Sequence, residues 1–438
     1  MLIRLTLKNW MSFRDEVTFS MIASKERQHG ERVPALKKYR TRILPVAAIY
    51  GGNASGKTNL FQALSFAKYF VVRGSGTDDK IPVVPFLLDD QSASADSRFC
   101  FEIFVNECVY EFSFSITSSK VQEEKLVRIL PSSEKVLYHR RGSELVECDS
   151  CDKEPRLQFA FQGTRDNQLF LTNSVSQKLD KFRDIYDWFK YSLVIVGPDS
   201  RFGSFEQFLD EASPLYGKMN ALLRQLDTGI DHVGGETVPF ENMPISSSVK
   251  DAIRSELKEG ESIRFPIDGE RRFVVTRKDG KIFAKQLVSF HQTQSGEKVK
   301  FDIENESDGS KRTIDLLPAF LDLLRPESKR VYAIDELDRS LHSSLTRALI
   351  EMYLEGVSEE TRAQLLMTTH DVLLMDQNLL RRDEMWATER DGNGVSSLCS
   401  LCEFEEVRYD KDLRKSYLQG RLGGVPKIFL TKAIGNEV

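Results

Sequence analysis

Residues 44–58 read Leu44-Pro-Val-Ala-Ala-Ile-Tyr50-Gly51-Gly-Asn53-Ala-Ser55-Gly56-Lys57-Thr58, and this stretch decides the fold. The apolar run from 44 to 50 has the pattern of a short buried strand. Directly after it, Gly51 to Thr58 fills the pattern G-x-x-x-x-G-K-[ST] without a gap. From 58 to about 72, Leu60, Ala63, Leu64, Ala67 and Phe70 recur at helical spacing. A strand, a glycine-rich turn and a helix are what a phosphate cradle requires. Glycines let backbone N–H groups around Gly51, Asn53, Ser55 and Gly56 turn toward phosphate oxygens, and the helix aims its positive end at the same place. Lys57 is expected to reach the outer phosphates, and the Thr58 hydroxyl to hold Mg²⁺. A glycine-rich strand–helix turn without a ligand is the plainer alternative; the intact flanks argue against it.

A second stretch supplies the acidic half of such a site. Val331-Tyr-Ala-Ile-Asp335-Glu336 is an apolar strand delivering two carboxylates at its end. Asp335 would hold Mg²⁺, and Glu336 would polarise an attacking water. Alone, an Asp-Glu pair commonly just opens a loop. Two neighbours add weight. Glu306-Ser307-Asp308-Gly309-Ser310-Lys311 precedes a helix with apolar Ile314, Leu317, Leu321 and Leu324, so Ser307 and Gly309 make either a second anion-binding helix end or an ordinary cap. Leu365-Leu-Met-Thr-Thr-His370-Asp371 ends an apolar strand in a histidine that can donate to a terminal phosphate, or simply be a satisfied strand-end residue.

Outward from these motifs, residues 1–20 read as two strands around a turn and 21–43 as a basic, polar loop. Alternation in Phe99–Val105 and Val109–Ile116 fits an antiparallel sheet with one wet face, and 191–197 gives another buried strand. From about 203 to 300 the character changes. Helical stretches near 204–227 and 247–259 precede a hairpin turning at Lys278-Asp279-Gly280. The final third alternates helix 310–325, strand 330–334, helix 340–355 and strand 363–368, which predicts a parallel sheet. We therefore expect an N-terminal half with the phosphate loop and antiparallel sheet (1–200), an inserted arm of helices plus a hairpin (201–300), and a C-terminal half (301–438).

The 438 residues carry a formal net charge of −5. This gives no argument for a nucleic-acid coat protein or a polybasic membrane binder, while a local basic groove stays open. No apolar run approaches eighteen residues and no leader pattern opens the chain, so a cytoplasmic protein without a membrane span is expected. Six cysteines are a cytosolic usage rather than a disulfide framework. The pairs Cys148/Cys151 and Cys399/Cys402 could share zinc. Their wide separation, an acidic loop around the first pair and a strand pattern around the second favour ordinary thiols.

The order of parts resembles that of ABC-type ATPases: phosphate loop, long intervening region, Ser-x-Gly signature, acidic strand end, then a switch histidine. Asn53, Thr58-Asn59-Leu60 and the opening Leu7-Lys-Asn-Trp-Met-Ser-Phe13 resemble the RecF/SMC-like branch. The chain is more closely similar to the stand-alone "AAA family ATPases" of bacterial defence islands: AbiL and RloA, the AriA ATPase of the PARIS system and the ATPase part of OLD proteins. The tail Tyr417-Leu-Gln-Gly-Arg-Leu-Gly-Gly-Val-Pro426 looks like the end of AbiL/RloA-type chains. The resemblance implies an α/β fold: an ABC-type P-loop ATPase head with an antiparallel β subdomain and a helical/β-hairpin insertion. It implies ATP and Mg²⁺ as cofactors and an ATP-sandwiched homodimer in which Ser307 and Gly309 reach the γ-phosphate held by a second copy. It further implies Glu336 as general base, His370 as switch, and Asp338 in a loop crossing the dimer interface. The signature departs from the common L-S-G-G form, and Gln122 is only a weak candidate for the Q-loop. The expected role is a sensor or regulator in anti-phage defence. The chain after Asp371 is expected to be too short for the nuclease of OLD proteins, so a separate nuclease or toxin would be the effector. The alternatives are a RecF/SMC-like DNA-repair ATPase and an assembly held together by ATP with slow turnover.

Overall fold

The computed structural model describes residues 1–149, 151, 154–198, 214–267, 271–404 and 413–425. Two compact units divide the chain. The first comprises Met1–Pro198, Pro326–Asp338 and the chain from Ile350 on; the second comprises the segment after Pro198 up to Arg325, with Arg339–Leu349.

The first unit contains two large sheets around one helix. The sheet of the first motif holds β5 (Val46–Gly51), β11 (Leu193–Val196), β17 (Val331–Ile334), β18 (Gln364–Thr368), β19 (Met385–Arg390) and β20 (Ser396–Ser400), in the order β11-β17-β18-β5-β19-β20. All pairs are parallel except β19–β20. Every residue of β5, β17 and β18 is buried, as expected of parallel strands covered on both faces. The second sheet is antiparallel, built from β1 (Leu2–Lys8), β2 (Val17–Ser20), β6 (Ser97–Val105), β7 (Cys108–Ile116), β8 (Val121–Ile129), β9 (Glu134–Arg141) and β10 (Glu144–Cys148), in the order β10-β9-β8-β7-β6-β1-β2. Between the sheets runs α1 (Lys57–Val72). Its Phe66 and Phe70 meet Phe99 and Phe114 of the antiparallel sheet at ring distances of 5.3 and 5.8 Å. Short helices α2 (Asp90–Ser94), α3 (Pro155–Gln162), α4 (Phe170–Ser176) and α5 (Arg183–Asp187) link the sheets. Glu124 ties β8 to α4 by accepting from Phe170 N, Leu171 N and the Tyr138 hydroxyl.

Residues 21–43, read from the sequence as a loop, are fastened by buried charge. They contain only two-residue strands, β3 (Ala35–Leu36) and β4 (Thr41–Arg42), and short 3-10 turns. Arg32 donates to Glu384 Oε2 (2.8 Å) and Leu379 O (2.8 Å). Arg381 forks onto Asp383 and reaches Glu26 O and Gln28 O. Burial pushes the Glu384 carboxyl up to about 7, against the pull of Arg32.

The second unit holds α6 (Pro214–Gln225), β12 (His232–Val238), α7 (Ser247–Glu256), β13 (Ser262–Ile267), β14 (Arg271–Lys278), β15 (Lys281–Gln292), β16 (Lys298–Asp302) and α8 (Asp308–Leu323). Its sheet runs β12-β15-β14-β13, with β16 also on β15. The expected hairpin turns where Asp279 (φ 53°) and Gly280 (φ 71°) are both left-handed, the geometry a two-residue type I′ turn needs. The helical stretch expected from 204 starts in the description at Pro214; its beginning lies outside the described residues. The compact unit that holds this sheet runs on to Arg325 and includes α8. Buried Arg272 makes a two-pronged ion pair to Asp315 of α8 at 2.6 and 2.9 Å, a desolvated contact that sequence spacing cannot reveal. Helix α9 (Ser343–Glu355) precedes β18, and α10 (Leu413–Leu418) closes the described chain. No described helix is long and apolar enough to cross a membrane.

Candidate functional site

Three of the motifs meet along neighbouring strand ends. In the parallel sheet, β18 lies between β5 and β17. The carboxyl ends of β5, β18 and β17 therefore deliver the glycine loop, Thr369-His370 and Asp335-Glu336 to one edge, the place where open α/β sheets bind ligands.

The loop from Gly51 to Gly56 is shaped by close packing. A Cβ on Gly51 would lie 2.4 Å from Thr388 Oγ1 and 2.7 Å from Thr388 O, so only glycine fits there. Gly56 (φ 115°) is the N-cap of α1 and has no side chain to cap it, and no acidic residue stands in the first turn. The leading N–H groups of α1 thus face outward without a side-chain acceptor of their own. Ser55 Oγ pairs with Thr388 Oγ1 at 2.6 Å. Asn53 and Thr58 are exposed. Lys57 is only 6% exposed, and its ammonium donates to Gly51 O (2.8 Å) and Gly52 O (3.0 Å). Burial lowers its pKa to about 8, against the pull of Asp335, Glu336 and Asp338. A buried cation resting on two carbonyls beside an uncapped helix end fits a polyphosphate, which would exchange weak carbonyl contacts for anionic ones.

At the acidic strand end, Asp335 is buried and its Oδ1 accepts from Thr368 Oγ1 at 2.5 Å. The same hydroxyl accepts from Glu336 N at 2.7 Å, and Thr368 O accepts from Leu337 N at 3.0 Å. Glu336 adopts φ 49°, a left-handed conformation costing a non-glycine residue on the order of 1–3 kcal/mol. Thr368, one strand away, thus holds the acidic pair in a strained turn. Asp338 Oδ2 accepts from His370 N at 3.2 Å, and the His370 side chain is exposed. Three buried polar atoms near this site have no hydrogen-bond partner among the described residues: Tyr50 OH, Asp338 Oδ1 and Asp371 Oδ2. Burial raises the Tyr50 phenol well above its usual range, helped by Asp371 and Asp338. The donor set fits a magnesium nucleotide, with the Thr58 hydroxyl and the Asp335 carboxylate as the residues that would hold the metal.

Ser307 and Gly309 lie in the second unit. Ser307 is the N-cap of α8, accepting from Ser310 N at 3.1 Å and donating to Ser310 Oγ at 3.0 Å. A Cβ on Gly309 would come within 2.9 Å of Ser340 O, so its bareness admits that backbone. The cap reading is met in its geometry, and the hydroxyl remains exposed.

Sequence reasoning missed the supporting residues. Thr368, Thr388 and Ser396 touch the site from positions more than 300 residues after the loop or beside the acidic pair. Ser396 Oγ donates to Ser12 Oγ (2.8 Å), which accepts from Asn59 Nδ2 (2.7 Å). Trp10 Nε1 donates to Asn59 O (2.8 Å). The opening Asn9-Trp10-Met-Ser12-Phe13 is therefore a brace on the first turn of α1. Its only sequence signal was the resemblance. Gln122 lies on β8 of the antiparallel sheet. One cysteine expectation is corrected: Cys148 and Cys151 form a disulfide, since the C-x-x-C spacing at the end of β10 brings their Cα atoms to 5.5 Å. Those sulfurs are thereby removed from a shared zinc cage, and no cluster of three or more metal-ligating side chains occurs among the described residues.

A family model described as "AAA domain, putative AbiEii toxin, Type IV TA system" matches residues 46–376, which include the glycine loop, the acidic strand end and His370. Among solved structures, the chain is similar to the SMC head domain from Thermotoga maritima, at 16% identity and TM-score 0.37, covering 91% of this chain and 98% of that one. It is also similar to an SMC head bound to the C-terminal winged-helix domain of ScpA, at 15% identity and TM-score 0.39, covering 91% and 97%. No curated protein matches.

Proposed function

We propose that this chain, which belongs to the AAA family matched over residues 46–376, binds and hydrolyses ATP with Mg²⁺ and so regulates a separate effector in bacterial anti-phage defence. The observation that carries the ATPase reading is the uncapped start of α1 with buried Lys57, set in the field of Asp335 and Glu336. In this reading, Lys57 and the N–H groups of Gly51 to Thr58 bind the phosphates. Asp335 and Thr58 hold the metal, whose chemistry is to neutralise charge on the phosphate oxygens. Glu336 takes the proton of the attacking water, and Thr368 fixes Asp335 Oδ1 and the backbone of Glu336. His370 reports on the terminal phosphate, and its main chain is tied to Asp338.

The defence role is supported by the family description, which names a toxin and a toxin–antitoxin system. In this reading the effector is a nuclease or toxin on another chain. Two copies would share the nucleotide, Ser307 and Gly309 of one completing the site of the other.

Turnover and ATP-driven self-association of the wild type, Glu336→Gln and Lys57→Ala test this. Glu336→Gln should lower turnover by about 10²–10⁴-fold while ATP still binds and the dimer accumulates. Lys57→Ala should lose both binding and association. Equal slow turnover by wild type and Glu336→Gln sinks the hydrolase reading. Strong stimulation of turnover by duplex DNA ends would instead favour a DNA-repair ATPase.

A further inference from the structure

The described chain ends against Tyr50 and Thr388, which adjoin the phosphate loop. α10 finishes in a Schellman motif: Arg421 N donates to Ser416 O (3.1 Å) and Gly420 N to Tyr417 O (2.8 Å), with Gly420 left-handed at φ 74°. The chain thereby reverses, and the Tyr417 hydroxyl donates to Gly424 O at 2.9 Å. The folded-back segment grips two residues. The Tyr417 ring lies 6.3 Å from that of Tyr50, the residue preceding Gly51. Gly424 (φ 73°) sits where a Cβ would be 3.2 Å from Thr388 O and 3.2 Å from the Tyr417 ring. Thr388 links the two. It pairs with Gly51 in the parallel sheet, where a Cβ on Gly51 would be 2.7 Å from the same Thr388 O, and Thr388 Oγ1 bonds Ser55 Oγ (2.6 Å) and Tyr50 O (3.3 Å). Tail, β19 end and phosphate loop are stacked backbone on backbone, with a bare glycine on each outer layer.

We propose that the segment Leu413–Val425 sets the position of the phosphate-binding loop, with Tyr417 and Gly424 as positioning residues acting through Tyr50 and Thr388. The proposal rests on the nucleotide reading given above. Such a layer has no slack, because packed interiors yield little to an added methyl group. A displaced Gly424 moves Thr388, and Thr388 moves both Gly51 and Ser55. Because the tail meets Tyr50 and Thr388, which adjoin the phosphate loop, its effect falls on the affinity for ATP rather than on the proton transfer at Glu336.

The test is a KM-against-kcat comparison for ATP in the full chain, with direct ATP binding and the melting temperature of the nucleotide-free protein measured alongside. Tyr417→Phe removes one hydrogen bond and keeps the ring; KM should rise about threefold to tenfold. Gly424→Ala strains a left-handed residue and pushes on Thr388 O; KM should rise at least about tenfold. In both, kcat at saturating ATP should stay within about twofold, since the chemical step is untouched. Gly420→Ala is the control. It strains the same tail at a left-handed residue, but its Cβ meets nothing within 4 Å, so KM should stay at the wild-type value. If Gly420→Ala raises KM as much as Gly424→Ala, or if Tyr417→Phe and Gly424→Ala leave KM unchanged, the tail is packing alone and the proposal fails. A wild type that binds ATP while these variants match it overturns only this inference. A wild type that does not bind ATP overturns the nucleotide reading, and this inference with it.

Discussion

Helices α1 and α8 have the same length and both follow a small N-cap residue, but their N-termini are built differently. At α1, Gly56 offers no cap, no acidic residue opens the first turn, and the buried Lys57 adds positive charge. At α8, Ser307 already accepts from Ser310 N, and Asp308 stands in the first turn, where it offsets the helix dipole. The first end is left open to an outside anion, whereas the second is closed by its own sequence. A helix start earns an anion-binding assignment from what is missing around it as much as from what is present. By that standard α1 is the helix end we propose for the phosphates. In the proposed shared site, α8 offers Gly309 and the Ser307 hydroxyl, which would turn from Ser310 toward a ligand.

The largest effect that would break this contrast is at Lys57. Lys57→Ala should weaken ATP binding at least about a hundredfold, because it takes one partner from a buried, charge-assisted contact. Isothermal titration with ATP and Mg²⁺ would show it, and a loss below tenfold would place the phosphates elsewhere.

Next in size is the pH dependence of the same contact. The Lys57 ammonium of the nucleotide-free protein is depressed to about 8. Phosphates favour the charged form, so binding takes up a proton above that value. ATP affinity should be flat below pH 8 and fall by up to about tenfold per pH unit above it. For folding the sign is opposite: an unfolded lysine binds more protons between pH 8 and 10.5, so this group makes the nucleotide-free protein more stable as pH rises through that window. Opposite slopes for affinity and for the melting temperature of the nucleotide-free protein identify Lys57 as the titrating group; parallel slopes would assign the effect to another residue.

The same contrast marks what was legible in the sequence. The open helix end was readable because its parts are contiguous: Val46–Tyr50 is an unbroken apolar strand, and the glycines and Lys57 follow at once. Asp335 and Glu336 were readable because an apolar strand delivers them. What escaped is non-local. Thr388 and Ser396 hold the loop by contacts that no spacing encodes, and Thr368 looks like any strand threonine until its hydroxyl is seen between Asp335 Oδ1 and Glu336 N. Arg32 read as one more basic loop residue, yet it is buried against Glu384, so a loop pattern concealed a fixed structure. The place of α8 in the second compact unit was not legible for a related reason. The alternation of helix and strand after 300 suggested continuity with the parallel sheet, whereas the Arg272–Asp315 ion pair ties α8 to the preceding hairpin.

The smallest effect is at α8, and its size is what the contrast turns on. Ser307→Ala removes a cap that typically contributes about 0.5–2 kcal/mol to stability, so the melting temperature should fall modestly. If Ser307 only caps, Ser307→Gly should restore most of that loss, since glycine is nearly as good at this position, and turnover should follow stability in both variants. If its hydroxyl also meets a phosphate held by a second copy, alanine and glycine should be equally defective in ATP-driven association, because neither carries an oxygen, whatever their melting temperatures. Sedimentation of both variants with Mg²⁺ and ATP separates the two. Association that tracks the cap would leave α8 an ordinary helix and confine the nucleotide to α1. Association lost alike in both would show that a helix end closed by its own serine can still lend one oxygen outward.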